Sequence, residues 1–404
     1  MLTGRTFTLA PPPAVVFGAG ASRDLAPHVL ATGHQRAFVV ADPGVVAAGL
    51  LSPITESLVA AGIEVEVFSD VDPNPTDRNV AAGLEALRAF GDAAVVLVGG
   101  GSAMDCGKYL ALAAPNGTEG LAHCFHTAAD DDGNFDFSTL ATAVVPERDG
   151  YPTVAVPTTS GTASETNGGD LITDTTDGRK LTFNSDTVKP RTVVLDPELT
   201  VGLPPVPTAT CGMDALTHAI ECFVSQAANP FADGLALRTI ETVTEWLPRV
   251  MDDPADLEGR SQMIVAAHLA GVAFSSGPLL GLVHATGHPL SARLHVAHGQ
   301  TLSTMLPHVM AFNLDVCEDR YARVARAMGA DTPGQPPREA ALAAIEAVRA
   351  LSARVGTDKT ITELGGTADD IDQLTMDALG DLIILTTPRY PSKAEVRELY
   401  LAAL

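Results

Sequence analysis

The feature that most constrains this chain is a change of periodicity near residue 199. Before it, short β-branched runs alternate with helical segments; after it, strand signals stop. Arg36-Ala-Phe-Val-Val-Ala-Asp42 reads as a buried strand, 45–61 as a helix, Glu64-Val-Glu-Val-Phe68 as a strand and 76–90 as a helix. Ala93-Ala-Val-Val-Leu-Val98 is a third strand running into Gly99-Gly-Gly-Ser102, and Thr153-Val-Ala-Val156 and 191–196 are two more. Strands spaced by helices of about ten to fifteen residues dictate a parallel sheet with crossover helices. Near-continuous apolar runs fit strands covered on both faces. From the second half, segments 207–226, 231–250, 258–275, 300–314, 317–328, 337–355, 368–382 and 392–403 read as helices. The expected organisation is an α/β domain with a parallel sheet over 1–198 and an all-helical domain over 199–404.

Composition removes several function classes. Hydrophobic residues make up 46% of 404 and charged residues 18%, which excludes intrinsic disorder. The formal charge of −24 arises from 49 acids against only 25 Lys and Arg. That balance repels phosphate backbones and anionic membranes, so neither nucleic acid nor membrane is expected as a partner. No apolar run is long enough to span a bilayer, and Met1-Leu-Thr-Gly-Arg-Thr6 has no apolar signal region. The five cysteines, 106, 124, 211, 222 and 317, form no CxxC pair and read as reduced thiols. The expected location is the cytoplasm.

Four stretches carry chemistry. Gly99, Gly100, Gly101 and Ser102 follow a buried strand and open a helix, where backbone N–H groups approach a phosphate. The GxGxxG spacing is absent, and glycine-rich turns after strands are common. Asp42, ending its strand, is placed to accept from ribose hydroxyls or, equally, to cap the next helix. Thr158, Thr159, Ser160, Gly161 and Thr162 form a hydroxyl-rich turn that suits either a nucleotide clamp or a multiply capped helix start. Asp214 and His218 stand four apart, as do His284 and His288, and His298 follows ten residues later. That spacing puts each pair on one helix face. An ionised Asp with three neutral His suits Fe²⁺ or Zn²⁺, while a lone His in an apolar segment is more often a satisfied core residue. His268, His295 and His308 are spare histidines, not counted among the four candidate ligands.

Taken together, these stretches resemble the iron-dependent (group III) alcohol dehydrogenases. Gly99–Asp105, Pro157–Glu165, Gly212-Met-Asp-Ala-Leu-Thr-His-Ala-Ile-Glu221 and Gly281-Leu-Val-His-Ala-Thr-Gly-His-Pro-Leu290 match the family's signature stretches in order, from about residue 5 to 400. The resemblance implies a dehydroquinate synthase-like fold, shared with glycerol dehydrogenase. It implies hydride transfer between NAD and a small primary alcohol or aldehyde. It assigns Asp214, His218, His284 and His298 as metal ligands, usually for Fe²⁺, with Zn²⁺ or Mn²⁺ as alternatives. His288 falls on the histidine linked to proton transfer, and Asp42 on the acid that selects NAD over NADP. Asn74, Gly101, Ser102, Thr158 through Thr162 and Lys180 fall on nucleotide contacts. Homo-oligomers, dimers or larger, are expected by the same analogy.

Three departures from the family pattern stand out. The second loop reads Thr-Ser-Gly-Thr-Ala-Ser where Thr-Ala-Gly-Thr-Gly-Ser is commoner; the acidic stretch 126–148 is longer than usual and is expected to border the cleft; and Arg389-Tyr-Pro-Ser392 stands where an Asn-Pro-Arg turn is frequent. Rival readings on the same fold are a maleylacetate reductase, which typically lacks the metal set, and a hydroxyacid–oxoacid transhydrogenase that retains its nucleotide. A non-enzymatic interaction protein on this fold would not need the Asp/His quartet.

Overall fold

β-branched runs build the sheet as expected. In a computed structural model every residue is described except 1–5, 8, 10, 126, 177 and 332, and for 141, 142 and 170 only the backbone is described. Strands β1 (Ala14–Phe17), β2 (Arg36–Ala41), β3 (Glu64–Phe68), β4 (Ala94–Gly99), β5 (Thr153–Pro157) and β8 (Thr192–Leu195) form one parallel sheet in the order β1-β8-β5-β4-β2-β3. Central strands β4 and β5 are buried at every position, whereas the edge strands β1 and β3 are mostly exposed. Alternate residues feed two cores. Phe38, Val40, Val95 and Leu97 pack on one face, and Val39, Ala41, Val96 and Val98 on the other. Between β5 and β8, β6 (Gly169–Asp174) and β7 (Arg179–Asn184) pair as an antiparallel hairpin.

Helices α1 (Ala26–Leu30), α2 (Pro43–Ala47), α3 (Leu51–Ala60), α4 (Asp77–Phe90) and α5 (Gly101–Asn116) connect the strands. Among the described residues no strand follows Leu195; α6 (Pro205–Val224), α7 (Pro230–Asp252), α8 (Leu257–Ser275), α9 (Leu282–Leu294), α10 (His298–Ala327), α11 (Pro337–Val355), α12 (Ile371–Leu379) and α13 (Lys393–Ala403) make up the second half. Their core is a separate cluster running from Ala209 to Ala403. Helix α6 is central to it, being buried at nearly every position from Thr208 to Val224. A helix apolar all round is stable only when enclosed.

Several elements differ from the sequence expectation for local reasons. The helix expected over 45–61 breaks into α2 and α3 around Gly49, whose φ of +72° a helix cannot hold. The two helices expected over 300–314 and 317–328 are the single α10, because Asp315 and Val316 lie on its exposed side while Leu314 and Cys317 stay buried. The segment 368–382 shortens to α12, stopping at Gly380. Strand β1 and the β6–β7 hairpin were not among the expected elements, and α9 was implied only by the His284/His288 spacing. The acidic stretch 126–148, whose first residue lies outside the described ones, packs against the C-terminal helices: Lys393 Nζ donates to the Asp131 carbonyl at 3.2 Å, and Gly133 sits against Leu379. Among the described residues none of it lines the main cleft; Phe125, just before it, does.

Candidate active site

A cleft of about 1070 Å³ runs between the carboxyl ends of the strands and the helical half. Its first wall is mainly backbone. β2 and β4 are neighbours, yet the chain leaves β2 toward one sheet edge and re-enters at β4 on the other side. Ligands of open α/β sheets bind at such a reversal. There the Gly100 N–H donates to Asp42 Oδ2 at 2.7 Å. Asp42 stands at the start of α2 but makes no side-chain cap bond, so its carboxylate serves the glycine loop and not the helix. Gly99 holds φ +157°, and a Cβ there would lie 2.2 Å from Asp42 Oδ2. Burial pushes the Asp42 carboxyl up, opposed by the N–H groups of Gly100 and Ala103. Ser102 Oγ donates to the Pro73 carbonyl at 2.6 Å, which ties the Asn74 turn to the start of α5.

The second loop divides. Thr159 and Thr162 line the cleft, as do Asp42, Asn74, Gly100, Gly101, Ser102 and Lys180. Thr158, Ser160 and Gly161 do not: Thr158 and Ser160 are buried behind the surface, and a Cβ on Gly161 would lie 2.4 Å from the Cys211 carbonyl oxygen. That contact presses the loop onto α6. Lys108, wholly buried on α5, fastens the loop from behind by donating to the Ser164 carbonyl at 2.6 Å. Burial lowers its ammonium to about 8 against the pull of Asp105 and Glu165. Lys180 on β7 reaches the cleft from the hairpin; burial lowers it, and Asp105, Asp381 and Asp214 pull it back up.

The second wall is made of side chains. Asp214 and His218 share a face of α6, His284 and His288 a face of α9, and His298 opens α10. Helix α10 comes this close because Gly299 has no Cβ, which would otherwise sit 2.1 Å from the Thr210 carbonyl oxygen. Around Asp214 Oδ1 the Nε2 atoms of His218, His284 and His298 lie at 3.3, 3.8 and 3.9 Å. The ligand atoms of Asp214, His284 and His298 fall within 4.8 Å of one another, with His218 adjoining through Asp214. Asp214 Oδ1 and His284 Nε2 are buried without a hydrogen-bond partner. Unpaired buried polar atoms are costly, and these converge on one point, so this donor set fits a divalent cation. Burial presses the Asp214 carboxyl upward, but the facing imidazoles, His218 first, overcome it and hold it below the usual carboxylate range. Burial lowers His218 to about 4 and His298 well below the ordinary imidazole value, leaving lone pairs free to ligate.

Two carboxylates stand behind the histidines, and sequence reasoning missed both. Glu221 Oε2 accepts from His284 Nδ1 at 2.5 Å, and Asp381 Oδ2 from His288 Nδ1 at 2.5 Å. Burial works against a proton on His284, yet the carboxylates of Glu221 and Asp214 together outweigh it and raise the ring to about 9. For Glu221 a signal existed: Asp214, His218 and Glu221 follow an i, i+4, i+7 stripe on an otherwise apolar helix. For Asp381 there was none, since 93 residues separate it from His288. Of the spare histidines, His268 Nδ1 is bonded to Glu165 at 3.0 Å, His295 ends α9 in the left-handed region (φ 54°), and His308 does not line the cleft.

A glycine-turned parallel sheet facing a buried carboxylate–imidazole cluster across one cleft is the layout of a cofactor-using dehydrogenase. The comparisons with known proteins agree. The chain matches the iron-containing alcohol dehydrogenase family over residues 12–197 and the C-terminal Fe-containing alcohol dehydrogenase family over 208–404. It is 32% identical to the NAD-dependent methanol dehydrogenase of Bacillus methanolicus, covering 97% of this chain and 98% of that one. It is 35% identical to the probable alcohol dehydrogenase EutG of Salmonella typhimurium, over 99% of this chain and 95% of that one. The solved structure of a 1,3-propanediol oxidoreductase superposes with a TM-score of 0.90 at 32% identity, covering 99% of this chain and all of the other. The chain belongs to the iron-containing alcohol dehydrogenase family. Its reaction is that of an alcohol dehydrogenase.

Proposed function

We propose that this enzyme moves a hydride between NAD(H) and a small primary alcohol or its aldehyde, using Fe²⁺ held by Asp214, His218, His284 and His298, with Zn²⁺ or Mn²⁺ able to occupy the same donors. The carrying observation is the set of three imidazole Nε2 atoms within 3.3–3.9 Å of Asp214 Oδ1, in the same cleft as Gly100–Ser102. When bound, the ion supplies Lewis acidity toward an alcohol oxygen and the nicotinamide supplies the hydride chemistry. The chain's own residues do the rest. Gly101 and the start of α5 present N–H groups to a pyrophosphate, with the Gly100 N–H held by Asp42 and Ser102 fixing the adjacent Pro73-Asn74 turn. Thr159, Thr162 and Lys180 line the path toward the metal donors, with Thr158, Ser160 and Gly161 shaping the loop from behind.

His288 lies one turn along α9 from His284 and has its Nδ1 engaged by Asp381, so Nε2 is the atom free to take the alcohol proton. Phe274, Leu279, Leu280 and Ile383 line the same cleft and favour a short apolar carbon chain. The division of labour between sheet and helices supports a domain boundary at 198/199, in the gap between β8 and α6. The five free cysteines fit a reducing compartment and favour a cytoplasmic enzyme. The edge strand β1, with Val15 and Phe17 exposed, supports a homo-oligomer. The test is a spectrophotometric screen of alcohols and aldehydes with NAD(H) and NADP(H) on anaerobically iron-loaded protein. Reduction of short aldehydes with NADH, lost on chelation, is expected; turnover indifferent to chelation sinks the metal reading.

A further inference from the structure

Helix α9 must deliver a neutral imidazole to the metal donors with its proton on the far nitrogen. Neutral imidazole carries one proton, and only the other nitrogen can ligate. For His284 the nitrogen facing Asp214 is Nε2, at 3.8 Å, while Nδ1 faces Glu221 Oε2 at 2.5 Å. The second oxygen of Glu221 is also engaged: Oε1 accepts from the backbone N–H of Val283 at 2.6 Å. Val283 is in the first turn of α9, where N–H groups have no partner within the helix. One side chain on α6 therefore both caps α9 and turns the ring of its third residue. Glu221 is 5% exposed, and a Cβ on Gly281 would come within 3.2 Å of its Oε1, so the carboxylate is confined on that side too.

We propose that Glu221 is the positioning residue that makes His284 a ligand: by accepting the Nδ1 proton it keeps the Nε2 lone pair aimed at the donors around Asp214. Among the described residues Glu221 is the group bonded to Nδ1, while Asp214 faces Nε2 at 3.8 Å and the His218 ring stacks on the face of His284. Glutamine shows why the carboxylate matters. With its oxygen on Val283 N–H, a carboxamide presents NH₂ to Nδ1, which must then accept, and the ring proton moves to the ligand atom Nε2. With the amide flipped, NH₂ faces the Val283 N–H and leaves it unpaired. Both arrangements weaken the site without changing side-chain volume. Carboxylates behind ligating histidines usually contribute about 10–100-fold in metal affinity.

The inference rests on the reading of His284 as a ligand, and the experiment separates the two. Co²⁺ or Zn²⁺ affinity is measured by chelator competition on metal-free wild type, Glu221→Gln and His284→Ala. Glu221→Gln is expected to raise the metal Kd about 10–100-fold while keeping the thermal midpoint of the metal-free protein. An unchanged Kd overturns the proposal, whether or not the midpoint falls. If His284→Ala also binds metal like wild type, the ligand reading fails with it; if only His284→Ala loses metal, the Glu221 role alone fails. Should the Gln variant not fold, two-bond nitrogen–proton spectra of the zinc-loaded wild type decide: an Nδ1–H tautomer of His284 supports the proposal and an Nε2–H tautomer overturns it.

Discussion

The two walls of the cleft are built from different materials. On the sheet side recognition is a matter of backbone shape: Gly99, Gly101 and Gly161 matter for the Cβ each lacks, and the polar groups offered are N–H groups and hydroxyls. On the helical side it is a matter of side chains, with Asp214 and three imidazoles aimed inward and Glu221 and Asp381 holding histidines from behind. A backbone wall follows from strand order and turn geometry. A side-chain wall depends on the chemistry of single atoms, so single substitutions there should have larger and more selective effects.

The sharpest contrast is expected at His284. His284→Ala removes a donor whose Nε2 lies 3.8 Å from Asp214 Oδ1, and metal retention and turnover should both fall to background. Elemental analysis showing full metal in that variant removes His284 from the ligand set. Its neighbour should behave differently. His288→Ala takes away a ring held by Asp381 and not by the donors around Asp214, so metal content should stay near normal while turnover drops about 10²–10⁴-fold. Loss of the metal instead makes His288 a ligand; full activity sends the proton by another route.

The same contrast explains how much was legible in the sequence. Asp214/His218 and His284/His288 declare themselves because a helix brings residues four apart onto one face. Strands β2, β4 and β5 declare themselves because burial on both faces leaves an unbroken apolar run. The β6–β7 hairpin did not, although its turn ends in Gly178 at φ +73° and Leu181 and Phe183 alternate inward. Its strands mix Asp, Arg and Lys with apolar residues because it forms a separate two-stranded sheet reaching the cleft. The helical pairing of Glu221 with His284 spans 63 residues, and no local periodicity encodes such a contact. Nor could spacing separate Thr159 and Thr162, which line the cleft, from Thr158 and Ser160, which do not.

A glycine on the sheet side tests whether backbone shape alone carries that wall. Gly161→Ala puts a Cβ within 2.4–2.7 Å of three backbone atoms of Cys211, and neither the loop nor α6 can yield by a side-chain rotation. The loop must lift away. Displacement of a positioning loop by about 1 Å costs about 10²-fold in rate, and the overpacking about 1–3 kcal/mol of stability. Nucleotide titration and thermal unfolding read these separately. Unchanged nucleotide affinity in a destabilised variant shows that Gly161 serves only the packing of the loop on α6.

The smallest effect is expected where the backbone wall does use a charge. Asp42 ends β2 beside the glycine loop, and its Oδ2 takes the Gly100 N–H at 2.7 Å, so the carboxylate is held at the cleft surface near Asn74. A ribose with free hydroxyls can donate to that carboxylate, whereas a 2′-phosphate brings a second negative charge against it. Wild type should therefore show a higher kcat/KM with NADH than with NADPH. In Asp42→Gly the repulsion and the ribose contact disappear together, and hydrogen bonds to a charged group are usually about 1.5–3 kcal/mol, so the preference should narrow about 10–100-fold. Metal content should not change, since Asp42 is not among the donors around Asp214. Parallel kcat/KM measurements on the iron-loaded proteins decide it. A wild type that uses NADPH as well as NADH, or a variant that keeps the wild-type ratio, reduces Asp42 to a brace for Gly100 and leaves cofactor choice to some other part of the sheet wall.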